Sequence, residues 1–238
     1  FNLINVTLND TLFVRSEFKG GALSQDKFDI NLYHTINQDK QSVVGFKKSE
    51  IKFKDYTWFI NENETNDNKI IFDKFLNNFD FQKISLSHND QKMDFFGTMR
   101  DSTYKDFQLT FNDVDLKKVT PNIDSLSFGG KINGNIKYKQ DKNTYDPQSN
   151  ITIDSLQINK ILLGDLDFAI EGNNSFNQFK ITSSISKEGE DRFFLNGNIN
   201  FVGEQSSLEL DAGFNQFDLA PFGPLLGNVL SDVRGSAT

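Results

Sequence analysis

Apolar and polar residues alternate with a period of two over most of the chain. In the first half the alternation comes in short bursts, such as Ile4, Val6 and Leu8, and later Ile84 and Leu86. Asn, Asp, Gly and Ser separate the bursts, and these residues favour turns. A period of two places every second side chain on the same face of a β-strand. The pattern therefore predicts antiparallel strands of about five to eight residues joined by short turns.

The second half continues the same alternation. Ile151 and Ile153 alternate with Thr152 and Asp154, and the later runs repeat this arrangement. One side of the predicted sheet is therefore apolar and the other polar. We expect the apolar side to form one continuous lining. The residues assigned to this lining are Phe107, Leu109, Phe111, Ile132, Ile136, Ile151, Ile153, Leu166, Phe168, Ile170, Ile181, Ile185, Leu195, Ile199, Phe201, Leu208, Leu210 and Phe214.

Three segments depart from simple alternation. Asn68–Phe79 alternates like a strand but also carries apolar residues at helical spacing, so both interpretations remain open. Gln140–Asn150 is polar and contains Pro147, which predicts a loop between strands. Pro221–Leu230 has apolar residues at helical spacing after a capping residue, Asp218, and predicts one short helix near the C-terminus.

A stretch from Phe95 to Asn135 has a second copy that begins near Phe194. A glycine, an alternating apolar run, an apolar-Asp-Leu triplet and a proline return in the same order. The paired landmarks are Gly97 and Gly197, Phe107–Phe111 and Leu210–Phe214, Val114–Leu116 and Phe217–Leu219, and Pro121 and Pro224. Ser16–Gly21 is a shorter match to Leu126–Gly130. The matches predict a segment of a longer repeating domain, with units at roughly 1–94, 95–193 and 194–238.

The predicted apolar face requires a cover. Burying one Phe side chain contributes roughly 2–3 kcal/mol, so a fully exposed row of such residues would be very unfavourable. The cover could be another part of the same sheet, the interior of a barrel, a lipid bilayer or a bound ligand. The short predicted strands and the scarcity of Trp and Tyr argue against a face turned towards the bilayer, where strands need about 9–11 residues and aromatic belts.

Composition narrows the function classes. A net charge of -8 and a pI near 4.8 argue against nucleic-acid binding, which needs clustered Lys and Arg. The chain has 25 Phe but only 5 Tyr and 1 Trp, a poor match to a carbohydrate-binding sandwich with exposed Trp and Tyr. Without cysteine it has no disulfide and no thiolate metal site. No apolar run is long enough for a transmembrane helix, so we expect any membrane anchor to lie outside this segment.

The sequence contains no catalytic constellation. His34 and His88 are far apart in polar contexts, which predicts surface positions rather than metal ligands. Asp113 and Asp115 are two positions apart, so on a strand they would share the solvent face. Gly129–Gly134 lacks the Gly-Lys-Ser/Thr ending of a phosphate loop, and strand glycines are the better interpretation. We therefore expect no enzymatic activity, no metal and no cofactor.

The repeated stretch resembles a known family of Gram-negative envelope proteins. Its landmarks are similar to the repeat unit of AsmA-like proteins, and they are Gly97, Leu109–Leu116, Pro121 and Gly130–Gly134. Further stretches are similar to the TamB branch of that family in a Bacteroidetes-like form. These are Leu156–Phe168, Phe217–Phe222 and Ser231–Ala237.

The resemblance implies an all-β fold, an elongated and taco-shaped antiparallel groove with a continuous apolar interior. It implies phospholipid acyl chains as ligands, an inner-membrane anchor outside this segment, and a TamA-like outer-membrane barrel of the Omp85 class as partner. It implies a location in the periplasm of a Gram-negative bacterium, reaching from the inner to the outer membrane. Two functions are then expected as alternatives: carriage of phospholipids between these membranes, or a scaffold for assembly and translocation of outer-membrane proteins.

Overall fold

The computed structural model describes residues 1–20, 25–121, 126–202, 205–220 and 236–237. Within them the chain is almost entirely antiparallel β-structure, so the all-β prediction is confirmed. The described helix, α1, spans Leu116–Val119. The strands are β1 (Asn2–Leu8), β2 (Thr11–Lys19), β3 (Lys27–Ile36), β4 (Ser42–Phe46), β5 (Ser49–Phe53), β6 (Tyr56–Ile60), β7 (Lys69–Phe72), β8 (Asn78–His88), β9 (Gln91–Arg100), β10 (Tyr104–Asp115), β11 (Phe128–Asp141), β12 (Thr144–Ile158), β13 (Ile161–Gly172), β14 (Gln178–Lys187), β15 (Glu190–Val202), β16 (Gln205–Phe214), β17 (Phe217–Asp218) and β18 (Ser236–Ala237).

The first sixteen strands form one sheet whose order follows the sequence as a meander. Strands β4 and β5 both pair with β3, and β6 and β7 both pair with β8. Each of these two pairs therefore takes the place of one long, interrupted strand. Strands β17 and β18 form a separate two-stranded sheet.

Contacts divide the chain into two compact units. Unit 1 consists of Phe1–Asn112 and Lys137–Asn143, and unit 2 of Asp113–Ile136 and Thr144–Thr238. The unit boundaries fall within β10, within β11 and at the turn between β11 and β12. This division does not test the repeat units expected from the sequence, which stay a prediction.

Several strands are longer than the five to eight residues predicted. Strand β11 has 14 residues and β12 has 15. Most of Gln140–Asn150 belongs to these two strands, and only Lys142–Asn143 form the turn, so the prediction of a loop there is wrong. Backbone hydrogen bonds hold a hairpin together whatever the polarity of its side chains, so the strands continue where the apolar alternation stops.

The ambiguous segment from Asn68 to Phe79 is not helical. It contains β7, a turn, and the start of β8. Asp73 fixes the turn, because its Oδ1 atom accepts hydrogen bonds from the amides of Phe75 and Asn77, both at 3.0 Å. The helix predicted over Pro221–Leu230 lies outside the described residues.

Two turns that lie 100 positions apart have the same local geometry. At 173–178 the Oδ1 atom of Asn173 accepts from the amides of Ser175 and Asn177, as Asp73 does at 73–78. The fourth residue of each turn has a positive φ, 59° at Leu76 and 57° at Phe176. The sequence placed the start of the similarity at Phe95, and the matching turns show that local similarity is also present upstream of that residue.

The glycine landmarks of the repeat also share one environment. Gly97 in β9 lies opposite Phe107, and Gly197 in β15 lies opposite Leu210. At either glycine, a Cβ atom would collide with a backbone carbonyl oxygen of the neighbouring strand. Any larger residue would therefore push the two strands apart.

A capped corner follows each copy of this hairpin. Asp115 accepts a hydrogen bond from the amide of Lys117 at 3.0 Å and caps α1, and Asp218 accepts from the amide of Ala220 at 2.9 Å. The residue before each aspartate, Val114 or Phe217, is buried. The shorter match at Ser16–Gly21 and the second proline of the repeat lie partly or wholly outside the described residues.

Candidate functional site

The registers of β12 to β16 place one row of apolar residues after another on the same face of the unit 2 sheet. Across the sheet, Ile170 lies opposite Ile181, and Ile181 lies opposite Gly197. This surface is called the apolar face of unit 2. The lining residues predicted from the sequence that lie on it are Ile151, Ile153, Leu166, Phe168, Ile170, Ile181, Ile185, Leu195, Ile199, Phe201, Leu208, Leu210 and Phe214.

Polar side chains are nearly excluded from the apolar face of unit 2. In the described pairings from Ser149 to Phe214, the polar residues that share this face are three serines, Ser149, Ser183 and Ser206. The opposite face carries charged and amide side chains, such as Asp167 and Asn198. The sheet of unit 2 therefore presents one hydrocarbon surface and one hydrated surface.

The apolar face is only partly covered by the protein itself. Phe201 and Phe214 remain 49% and 40% exposed, and Leu208 remains 60% exposed. An aromatic side chain offers about 150–250 Å² of surface. At about 25 cal/mol per Å², covering the exposed part of either Phe would contribute roughly 2 kcal/mol. A ligand that covers several of these side chains therefore gains binding energy from burial alone.

One end of this face is closed by a buried cluster. Its members are Ile153, Leu156, Ile158, Leu163, Ile185 and Phe217. Leu116 of α1 and Leu219 pack against the cluster from the two capped corners. We call this end of the apolar face the capped end.

Four of these six cluster members are absent from the lining that the sequence predicted, namely Leu156, Ile158, Leu163 and Phe217. Leu156 and Ile158 follow a β-bulge at Ser155, where φ is 54°, and the bulge shifts the alternation by one position. Leu163 sits at a second irregularity in the same strand pair. The change from odd-numbered Ile153 to even-numbered Leu156 was the available sequence signal for the bulge.

The two predicted lining residues of β11 behave differently. Ile132 packs against the buried cluster of unit 2. Ile136 is 42% exposed and does not belong to the residues packed on that cluster. The sequence pattern treats the two residues alike, so this difference follows from tertiary packing.

In unit 1, the predicted lining residues Phe107, Leu109 and Phe111 share a face with Phe95. The rings of Phe81, Phe95 and Phe107 contact one another, with centroids 5.5 to 5.9 Å apart. This aromatic cluster joins β8, β9 and β10 on one face.

Strand β1 breaks the single-face pattern within unit 1. Val6 lies opposite Phe13 and Ile4 opposite Arg15, whereas Val14 and Leu12 point to the other face of β2. A shift of one residue moves every side chain of a strand to the other face. Ile4, Val6 and Leu8 therefore do not extend the face that carries Leu12 and Val14.

Several charged residues of the described strands form ion pairs with one another. Lys83 pairs with Asp94 at 3.1 Å, and the Asp94 carboxylate raises the pKa of the Lys83 ammonium. Asp115, expected to be a solvent-facing strand residue, is instead the cap of α1. The described residues contain no group of three or more His, Cys, Asp or Glu side chains arranged to hold a metal ion.

Neither histidine is a fully exposed surface residue. His34 and His88 are both partly buried. The ring of His88 lies 5.3 Å from that of Trp58, and its Nδ1 atom is 2.6 Å from the carbonyl oxygen of Thr57. For His88 the prediction of a surface position is wrong, because β6 brings the Trp58 indole against the end of β8. Trp58 is 2% exposed and belongs to the core.

Gly130 is a strand glycine rather than part of a phosphate loop. Its φ of 119° is unfavourable for a residue with a side chain, and a Cβ there would lie 2.8 Å from Ile153. Within the part of the chain that the structure describes, no helix has the length and apolar character needed to cross a membrane. No protein-family model, curated protein or solved structure matches the chain.

Proposed function

We propose that this protein carries phospholipids between the inner and outer membranes of a Gram-negative envelope, with acyl chains lying on its apolar sheet faces. The apolar face of unit 2 is the observation that carries the proposal. It combines hydrocarbon side chains from five strands with an opposite face that keeps the sheet in water. A hydrocarbon ligand is the natural complement of such a surface.

The chemistry of the face favours an acyl chain over a peptide. A peptide laid on this surface would lose water from its backbone amides and carbonyls. Each such polar group costs roughly 1–3 kcal/mol when it is buried without a partner. Three serine hydroxyls could satisfy few of these groups. An acyl chain has no polar atoms along its length and avoids this cost.

The resemblance to the AsmA-like and TamB family supports the membrane route of the proposal. The protein's own residues support the contact with lipid, and the resemblance supports the periplasmic location and the TamA-like partner barrel. We propose that the described segment forms a length of the carrying surface. It acts by binding and passing lipid, without a chemical reaction.

Lipid binding is tested directly with the purified chain. The delipidated chain is incubated with vesicles of phosphatidylethanolamine and phosphatidylglycerol, separated from them, and extracted for mass spectrometry. We expect at least one phospholipid per chain and a rise in melting temperature, because a ligand that binds only the folded state stabilises it. A lipid-free chain with an unchanged melting temperature would overturn the proposal.

A scaffold for outer-membrane protein assembly is the second candidate, and the edge of the unit 1 sheet favours it. Among the described strands, β1 pairs on one side only, with β2, and all seven of its residues are exposed. An exposed edge can bind another strand through its free backbone groups. A photocrosslinker at Val6 would then capture an outer-membrane barrel strand in cells, whereas crosslinking only to lipid would reject this role for β1.

A further inference from the structure

The two ends of the apolar face of unit 2 differ in packing. All six members of the buried hydrophobic cluster lie at the capped end. At the other end the described apolar residues are partly or largely exposed, including Phe201 at 49% and Leu208 at 60%. A ligand on this face therefore meets a wall at one end and an opening at the other.

Aromatic side chains surround the open end. The ring of Phe176 lies 5.4 Å from that of Tyr145 and 5.2 Å from that of Phe179. Phe179 in turn lies 6.0 Å from Phe201. We call these four residues the aromatic rim. The strands run from this rim to the capped end, since Phe179 begins the apolar row of β14 and Ile185 ends it.

Phe176 is an unusual residue for its place in the turn. Its φ of 57° is a conformation in which Asn, Asp or Gly is common and a bulky aromatic residue is rare. Its side chain is 43% exposed, although it is apolar. Leu76 occupies the same place in the corresponding turn of unit 1, with φ of 59° and 60% exposure. Turn stability does not explain an exposed apolar side chain at this position in both turns.

The length of the face matches one acyl chain laid along the strands. Ile185 is six positions after Phe179, and a strand rises about 3.4 Å per residue, so the two residues are about 20 Å apart along the strand. An acyl chain spans about half of the roughly 30 Å hydrocarbon core of a bilayer, or about 15 Å. One chain therefore fits between the aromatic rim and the capped end, with its polar headgroup left outside the rim.

We infer that a phospholipid enters unit 2 over the aromatic rim, methyl end first, and that the capped end stops the acyl chain. This inference rests on the proposed lipid-carrying function and adds an entry side and an orientation. The capped corners act as the stop because they bury Phe217 and bring Leu116 and Leu219 onto the cluster. Phe176 acts as a contact residue at the entry.

Orientation is tested with two tryptophan variants of the intact chain. Phe201→Trp places the reporter at the aromatic rim, and Phe214→Trp places it near the capped end at a similar exposure. The probes are phosphatidylcholines brominated either near the carboxyl group or near the terminal methyl group. The signal of Trp58 in the parent chain is subtracted. Bromine quenches at short range, so each variant reports the nearest part of the acyl chain.

We expect the carboxyl-proximal bromolipid to quench the variant at 201 at least twofold more than the methyl-proximal bromolipid, and the reverse order at 214. The opposite order, or equal quenching by both lipids, would overturn the orientation while leaving lipid binding intact. No quenching in either variant, together with no lipid in the mass spectrum, would overturn the proposed function as well.

A kinetic test addresses Phe176. The variant Phe176→Asn removes an apolar contact and introduces a residue that tolerates the turn conformation. We expect a higher melting temperature and at least threefold slower loading from vesicles. Loading at the parent rate would refute an entry role for Phe176.

Discussion

The substitution Ile199→Asp offers a quantitative test of where the ligand lies. Ile199 lies on the apolar face between Phe179 and Leu208. The neighbouring Asn198 lies on the opposite face, between Lys180 and Glu209. Asn198→Asp introduces the same carboxylate one position away, so it is a matched control for charge.

The expected loss of affinity follows from the cost of neutralising the new carboxyl group. An acyl chain over residue 199 would bury the carboxylate in hydrocarbon, which favours its protonated form. With an ordinary aspartate pKa of about 3.9, protonation costs about 4 kcal/mol at pH 7 and about 1.5 kcal/mol at pH 5. These costs set upper limits of about a thousandfold at pH 7 and about tenfold at pH 5 on the part of the affinity loss that comes from ionisation.

The direction of the pH effect is fixed by the same argument. Bound lipid raises the pKa of the carboxyl group at 199, so the penalty is present at neutral pH and disappears as pH falls towards the ordinary aspartate value. The assay is displacement of a fluorescent fatty acid by phospholipid at both pH values, after circular dichroism confirms that each variant is folded. The parent chain corrects for any general effect of pH.

A similar loss of lipid affinity in both variants would contradict binding on the apolar face. Equal weakening by Asn198→Asp and Ile199→Asp would mean that charge alone, and not the face, determines binding. Unchanged affinity in Ile199→Asp would mean that lipid does not cover this position. A loss that is independent of pH would rule out burial of the carboxyl group as its cause.

The remaining predictions concern stability and are read by chemical or thermal unfolding. Gly197→Ala should destabilise the protein by about 2–3 kcal/mol, because the new Cβ would collide with a backbone carbonyl oxygen. Gly129→Ala is the control: its Cβ would make ordinary contacts at 3.4 Å and should change stability by less than about 1 kcal/mol. Equal effects of the two substitutions would contradict the close approach of the strands at Gly197. Asp218→Ala should cost about 1 kcal/mol through loss of the bond to the Ala220 amide, and no loss would exclude a role for the capped corner in stability. Hydrogen bonds from Asn77 and Asn78 lower the pKa of Asp73, so its contribution is present above the unfolded pKa and is lost as pH falls through the lowered folded value. Asp73→Asn should therefore reduce the fall in melting temperature with acidification, and an unchanged slope would exclude Asp73 as a source of the acid sensitivity.

The apolar ladder was the part of the structure that the sequence predicted best. The apolar residues from Ile151 to Phe214 lie on one face for two reasons. Within a strand, every second side chain points to the same face, and between strands, paired residues share a face. Two landmarks of the predicted repeat, Gly97 and Gly197, meet the same steric requirement, since a Cβ at either would collide with a backbone carbonyl oxygen. These features depend on local periodicity, which the sequence records.

The missed features depend on backbone pairing and on tertiary packing. The sequence predicted a loop at the polar ends of β11 and β12. Backbone hydrogen bonds form these strand ends, and side-chain polarity does not report such bonds. The bulge at Ser155 reversed the alternation and hid Leu156 from the predicted lining. The capped end could not be predicted either, since Leu116 and Phe217 join the same cluster only when two corners pack together in the folded chain.

Photocrosslinking in cells tests directly whether lipid contacts the apolar face of unit 2. The photoreactive residue p-benzoylphenylalanine is introduced in place of Ile181, on the apolar face, or in place of Thr182, on the opposite face of the same strand. After irradiation in a Gram-negative host, the protein is purified and its adducts are identified by mass spectrometry. We predict phospholipid adducts at 181 and none at 182. Equal adducts at both positions, or only protein adducts at 181, would contradict the claim that the apolar face carries acyl chains.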